Sequence, residues 1–171
     1  MLVKVTDENM QTYGGFQWRL KERKVIPDAS INAPLCSDKW FHCFDDTDLA
    51  FVVWPAYVEF SKPRFFVAES SGLEKYEGLK VGVSELTLIK EIPYEPIPLD
   101  RLLKIGEKFV NTVPSIGGTW YYSDMMRNLA YAIEGGTSVY KRSRWLSYTL
   151  CYTNVLGCKK ETIIKIIRET T

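Results

Sequence analysis

The sequence predicts an α+β fold: a mixed or antiparallel sheet of five to seven strands with a short helix in the N-terminal half, then three to four helices in the C-terminal half. Three observations carry this reading. Up to about residue 93 the apolar runs are short and rich in β-branched and aromatic residues; closely spaced prolines follow in IPYEPIPLD, residues 92–100; beyond them apolar residues recur at helical spacing. The expected organisation is a β-rich domain over 1–93, a proline-rich joint over 94–100 and a basic helical region over 101–171 packed on the first.

The strand candidates in order are LVKVT, FQWRL, WFHCF, FVVW, YVEF, RFFVAE and LTLIKEI. Gly14-Gly15, Pro27-Asp28, Asn32-Ala33-Pro34, Ser61-Lys62-Pro63 and Ser71-Gly72 separate them as turns. One segment departs from this pattern. Asp45-Asp46-Thr47-Asp48 supplies N-cap acceptors and first-turn negative charge for a short helix through Leu49, Ala50, Phe51 and Val53. After the prolines, Leu99, Leu102, Leu103, Phe109, Val110 and Val113 fall on one face of a helix starting at Asp100, weakened by Gly106. Ser123 then caps DMMRNLAYAIE, which Gly135-Gly136 ends; SVYKRSRWLSYTLCYTNVL stops at Gly157; KKETIIKIIRE closes the series.

Composition excludes several classes. With 171 residues, 46% hydrophobic and 25% charged, the chain has enough apolar side chains for a packed core and is not of disordered type. No stretch approaches the roughly 18 apolar residues that span a bilayer, and MLVKVTDENM has no apolar run after a basic start, so a cytoplasmic protein with reduced cysteines is expected. Net charge is +1, but it is divided. Residues 101–171 carry eleven Lys/Arg against five Asp/Glu, and residues 1–100 carry eleven against sixteen. Such asymmetry suits steering of charged partners or pairing with a second copy; internal neutralisation of the two halves is the competing reading.

The residue types most suggestive of chemistry cluster in LCSDKWFHCFDDTD, which holds the single histidine between Cys36 and Cys43. On a strand, Trp40, His42 and Phe44 share one side and Phe41 and Cys43 the other, so His42 and Cys43 point apart. That opposes a metal site or a Cys-His nucleophile built from these neighbours. The six-residue spacing within Cys36/Cys43 and within Cys151/Cys158 is also wider than structural zinc sites use. No metal site is expected, and His42 is read as a half-buried residue bonded to a backbone group. There is no G-x-x-x-x-G-K-[ST] and no G-x-G-x-x-G phosphate cradle. Glu69, Glu85 and Glu91 lie on or beside strands as solvated or paired carboxylates. KRSRW places Lys141, Arg142, Arg144 and Trp145 together, either a phosphate-binding stripe or a solvated helix face.

Three segments carry a family resemblance. LCSDKWFHCF, then DLAFVVWPAYVEFSKPRFFVAESSG, then EGLKVGVSELTLIKEIP resemble an uncharacterised family of small proteins encoded by bacteriophages and prophages, over roughly residues 1–95. In that family a Cys…His strand precedes an alanine-containing helix, and a GLKVG segment leads into a strand ending in EIP. The resemblance implies a bacterial host cytoplasm and action by binding a host component, inhibition of antiviral defence being one form. A weaker similarity, of fold only, is to ADP-ribosyltransferase-like domains, through WFHCF-DDTDLAFVV, FFVAESSG and LTLIKEI. It implies His42 or Phe44 beside a nicotinamide pocket and Glu85 as the ribose-orienting acid. LVKVT departs from the pattern by offering only Lys4 where those enzymes carry His or Arg.

Two functions are therefore expected. The first is a non-catalytic binding protein for a host macromolecule or an anionic nucleotide ligand, with non-specific nucleic acid and self-association also open and no cofactor. Arg142, Arg144 and Trp145, flanked by Lys141, are its main candidates, with Arg64 and Trp40 from the sheet half, because Arg and Trp dominate binding hot spots. The alternative is an NAD-consuming transferase using Glu85, with Tyr13 or His42 near the cofactor.

Overall fold

A computed structural model of the chain describes residues 1–112, 128, 131–132, 141, 144–149, 151 and 157–170. Its fold is α+β, as the sequence patterns predict. The chain divides into two compact units, one formed by Met1–Ala50 and Phe60–Glu95 and the other by Phe51–Glu59 and Pro96–Thr171.

The first unit is built from nine strands: β1 Leu2–Thr6, β2 Gln11–Thr12, β3 Phe16–Gln17, β4 Arg23–Val25, β5 Phe41–Cys43, β6 Arg64–Glu69, β7 Glu74–Glu77, β8 Lys80–Val83 and β9 Glu85–Ile92. They form a four-stranded sheet in the order β1-β6-β9-β4, a three-stranded sheet β5-β8-β7 and the hairpin β2-β3, with every strand pair antiparallel. The two larger sheets join at two places. Val3 and Phe44 exchange backbone hydrogen bonds of 2.7 and 2.9 Å. Ser84, between β8 and β9, receives the Ile26 N–H at 2.9 Å and gives its own N–H to Leu73 at 3.0 Å. One continuous stretch, residues 80–92, thus serves both sheets by bending at Ser84.

The enclosed core gathers Leu2, Trp18, Phe41, Cys43, Phe66, Val81, Leu86 and Leu88. All five residues of β1 are buried, so LVKVT does not alternate as a half-wet strand would. Its lysine is buried too. Lys4 Nζ donates to the His42 carbonyl at 2.8 Å and lies 5.1 Å from the centre of the Trp18 ring. Burial pushes its pKa down, against the opposing pull of Cys43.

Four strands escape the apolar-run pattern. QT, RKV, EKYE and KVGV are strands β2, β4, β7 and β8: β2, β4 and β8 take ladder bonds from β3, β9 and β5, which do carry the β signal, and β7 pairs in turn with β8. Conversely, FVVW and YVEF are not strands. The helix α1, Thr47–Val53, runs through the first, since Asp46 Oδ1 accepts the Leu49 N–H at 2.9 Å and the Asp46 carbonyl accepts that of Ala50 at 3.0 Å. A 3₁₀ turn over Trp54–Ala56, with Pro55 inside it, then carries the chain into Tyr57.

Residues 93–98 have no regular secondary structure. In the second unit α2, Leu99–Thr112, buries Leu102, Ile105 and Phe109 and packs against α3, Lys160–Glu169, which buries Ile163 and Ile167. Arg101 ties them. Its Nε donates to the Thr170 carbonyl at 2.7 Å and its Nη2 to the Ile167 carbonyl at 3.3 Å, satisfying acceptors that a helix C-terminus leaves open. Residues 128, 131, 132, 141, 144–149 and 151 are helical as well. The cap at Ser123, the stop at Gly135-Gly136 and the apolar position Val113 lie outside the described residues. Among the described residues no helix is long and apolar enough to cross a membrane.

Gly82 sits where β8 passes under the preceding loop. A Cβ there would stand 2.2 Å from Leu35 Cδ1 and 3.0 Å from Trp40 Cγ. Gly82→Ala should therefore destabilise the protein by about 1–3 kcal/mol through overpacking, a loss that denaturant unfolding reads directly.

Candidate binding surface

The helical residues 144–149 have two faces. Leu146, Ser147 and Thr149 are buried, and the Ser147 hydroxyl donates to the Val52 carbonyl at 2.6 Å in the last turn of α1. The other face carries Trp145, which is 37% exposed, beside Tyr131, which is 46% exposed. The Trp145 ring centre lies 5.2 Å from that of Tyr131 and 5.9 Å from that of Tyr148, both pairs tilted rather than stacked flat. Arg144 frames this cluster. Its Nε and Nη2 donate to Tyr148 Oη at 3.1 and 3.0 Å, and its Nη1 pairs with the Glu59 carboxylate. Lys141 is helical and exposed, four residues before Trp145 in the sequence. Arg142 lies outside the described residues.

The structure thus brings Arg144 and Trp145 into one aromatic and cationic surface and adds Tyr131, Tyr148 and Glu59 to it. Tyr148 was legible as the residue four after Arg144. Glu59 was not, since 85 positions separate it from Arg144 in the sequence.

The candidates from the sheet half fare differently. Trp40 is 3% exposed, its ring packed beside Gly82 and its Nε1 donating to the Ala33 carbonyl at 3.4 Å. This corrects its reading as a surface contact: the indole is core. Arg64 makes a two-pronged pair with Glu91, Nε to Oε1 at 2.8 Å and Nη2 to Oε2 at 2.6 Å, with its guanidinium 5.3 Å from the Phe66 ring centre. Both pKa values move outward, Glu91 down and Arg64 up, each chiefly through this hydrogen bond. The pair lines a shallow groove of about 330 Å³ with Pro63, Ile92, Pro93 and Tyr94.

His42 and Glu85 are bonded to different neighbours, and among the described residues no hydrogen bond or ion pair links Tyr13, His42 and Glu85 to one another. Tyr13 is 99% exposed in the turn of the β2-β3 hairpin. His42 is half-buried on β5, and its Nε2 meets the Leu35 carbonyl at 2.5 Å; a carbonyl only accepts, so Nε2 carries the proton. Burial, aided by Lys4 and Lys80, lowers its pKa against the raising effect of that bond. Glu85 accepts from the Ser71 hydroxyl at 2.6 Å and from Arg23 at 2.5 and 3.1 Å, which together hold its carboxyl below the usual range.

The cysteines are scattered in environment. Cys43 is buried, and loss of solvation pushes its thiol up to about 11. Cys36 is exposed and accepts from Lys80 Nζ at 3.3 Å, while Cys151 Sγ lies 3.3 Å from Tyr57 Oη. Among the described residues no group of three or more His, Cys, Asp or Glu side chains is placed to hold a metal ion.

The Glu85 cluster has a pH signature. Its folded pKa is depressed, so its stabilising contribution is present above the unfolded value of about 4.3 and is lost as pH falls through the folded value. The difference in melting temperature between wild type and Glu85→Gln should shrink steadily from pH 6 to pH 3. A difference that stays constant over that range would mean that the carboxylate does not titrate with folding. Comparison with protein-family models, curated proteins and solved structures gave no match to this chain.

Proposed function

We propose that this is a non-catalytic binding protein of the kind bacteriophages and prophages encode, acting in the bacterial cytoplasm on a component of host antiviral defence or on an anionic nucleotide ligand. The observation that carries the reading is the Tyr131–Trp145–Tyr148 cluster, in which Tyr131 and Trp145 are exposed and Arg144 is bonded to Tyr148. Aromatic rings held in place by their neighbours lose little entropy on contact and bury large areas, and guanidinium groups discriminate for anionic partners. The basic balance of residues 101–171 draws such partners toward this unit. Capture of partners from phage-infected bacterial lysate should be lost on Trp145→Ala. Arg142→Ala combined with Arg144→Ala should weaken it several-fold and flatten its salt dependence. Unchanged capture by both variants would remove the assignment.

A second reading has one observation in its favour. Glu85 is kept ionised by Ser71 and Arg23, a state suited to orienting a ribose hydroxyl in an NAD-consuming transferase. Under that reading the protein releases nicotinamide from NAD in the presence of lysate, and Glu85→Gln abolishes the release. Absence of turnover in wild type sinks it.

A further inference from the structure

We infer that the Trp145 face takes single-stranded nucleic acid, its bases stacking on Trp145 and Tyr131 and a phosphate pairing with Lys141. The inference rests on the binding reading above and names its ligand class. Three features point to it. The rings of Trp145 and its neighbours Tyr131 and Tyr148 are tilted by about 50° to one another rather than stacked face to face, and Trp145 and Tyr131 remain exposed. Every nucleobase presents a flat π-face, so such rings accept bases with little regard to sequence.

The platform is also held in place from behind. Ser147 is bonded to the Val52 carbonyl, Thr149 Oγ1 donates to the Trp145 carbonyl at 3.2 Å, and Arg144 fixes Tyr148 by two donors. A base therefore meets aromatic groups that need not be ordered on binding.

Charge completes the match. The one carboxylate that contacts this cluster among the described groups, Glu59, is paired with Arg144, and Lys141 is exposed four residues before Trp145. The sequence adds Arg142 beside it. A duplex offers phosphates but keeps its bases stacked on one another, so the aromatic faces select unpaired strands. An acidic protein would satisfy Lys141 but would leave the flat faces without their natural complement.

The test uses the full chain and a fluorescently labelled 12-nucleotide DNA and RNA of mixed sequence, with the matching DNA duplex, read by anisotropy across a salt series. Wild type should bind the single strands more tightly than the duplex, with tryptophan fluorescence quenched on binding. Trp145→Ala should weaken single-strand binding about tenfold or more, while Trp145→Phe retains much of the affinity and loses most of the quenching. Lys141→Ala should lower the salt slope by about 0.7, one phosphate contact on a single strand. Preference for duplex, no binding to any oligonucleotide, or equal binding by wild type and Trp145→Ala would overturn the inference. If oligonucleotide binding fails while Trp145→Ala still loses its partner from lysate, the ligand class is wrong and the binding surface stands. If Trp145→Ala changes neither, both readings fall.

Discussion

Ser84 is bonded on three sides: its N–H to Leu73, its carbonyl to the Ile26 N–H, and its hydroxyl to the Leu73 N–H at 2.8 Å. These bonds let one stretch of chain leave the β5-β8-β7 sheet and enter the β1-β6-β9-β4 sheet without stranding a buried donor or acceptor. They also dictate what stands beside the bend. A Cβ on residue 72 would come within 2.2 Å of Ser84 Oγ and 2.7 Å of Glu85 Cγ, so the close approach requires glycine. That approach carries Ser71 to the Glu85 carboxylate. The ionised glutamate is thus a product of how the two sheets are sewn together.

In the second unit the same relation between scaffold and surface recurs on helices. Arg101 closes the end of α3, and Ser147 satisfies a carbonyl at the end of α1, so both bonds serve acceptors that helix ends leave open. The buried row of Leu146, Ser147 and Thr149 fixes the rotation of the 144–149 segment. With that rotation fixed, Trp145 has only the outward face to occupy. An indole there is not a packing residue displaced by crowding; its exposure follows from the polar and apolar bonds on the opposite side.

How much of this the sequence disclosed depends on the range of the interaction. The helix at Asp46 was legible because its cap is three residues from the donor it serves. The apolar spacing of α2 and the change of period after residue 92 were legible for the same reason. Strands β4 and β8 were not, since their pairing comes from segments up to 64 residues away, Arg23 with Thr87 on β9 and Val81 with Cys43 on β5, and β7 takes its ladder from β8 alone. The fate of Trp40 was hidden likewise, because Gly82, which makes room for its ring, is 42 positions distant. His42 was read as half-buried and bonded to backbone, and it is, through the Leu35 carbonyl.

Lys4 shows why a buried charge need not mark a site of chemistry. An apolar replacement would spare the desolvation of an amine but orphan the His42 carbonyl, at about 1–3 kcal/mol. A shorter polar side chain would fall short of that carbonyl and open a void against Trp18. The middle of β1 therefore has no cheap substitute, and drift at this position is barred by backbone geometry alone, whatever the protein binds.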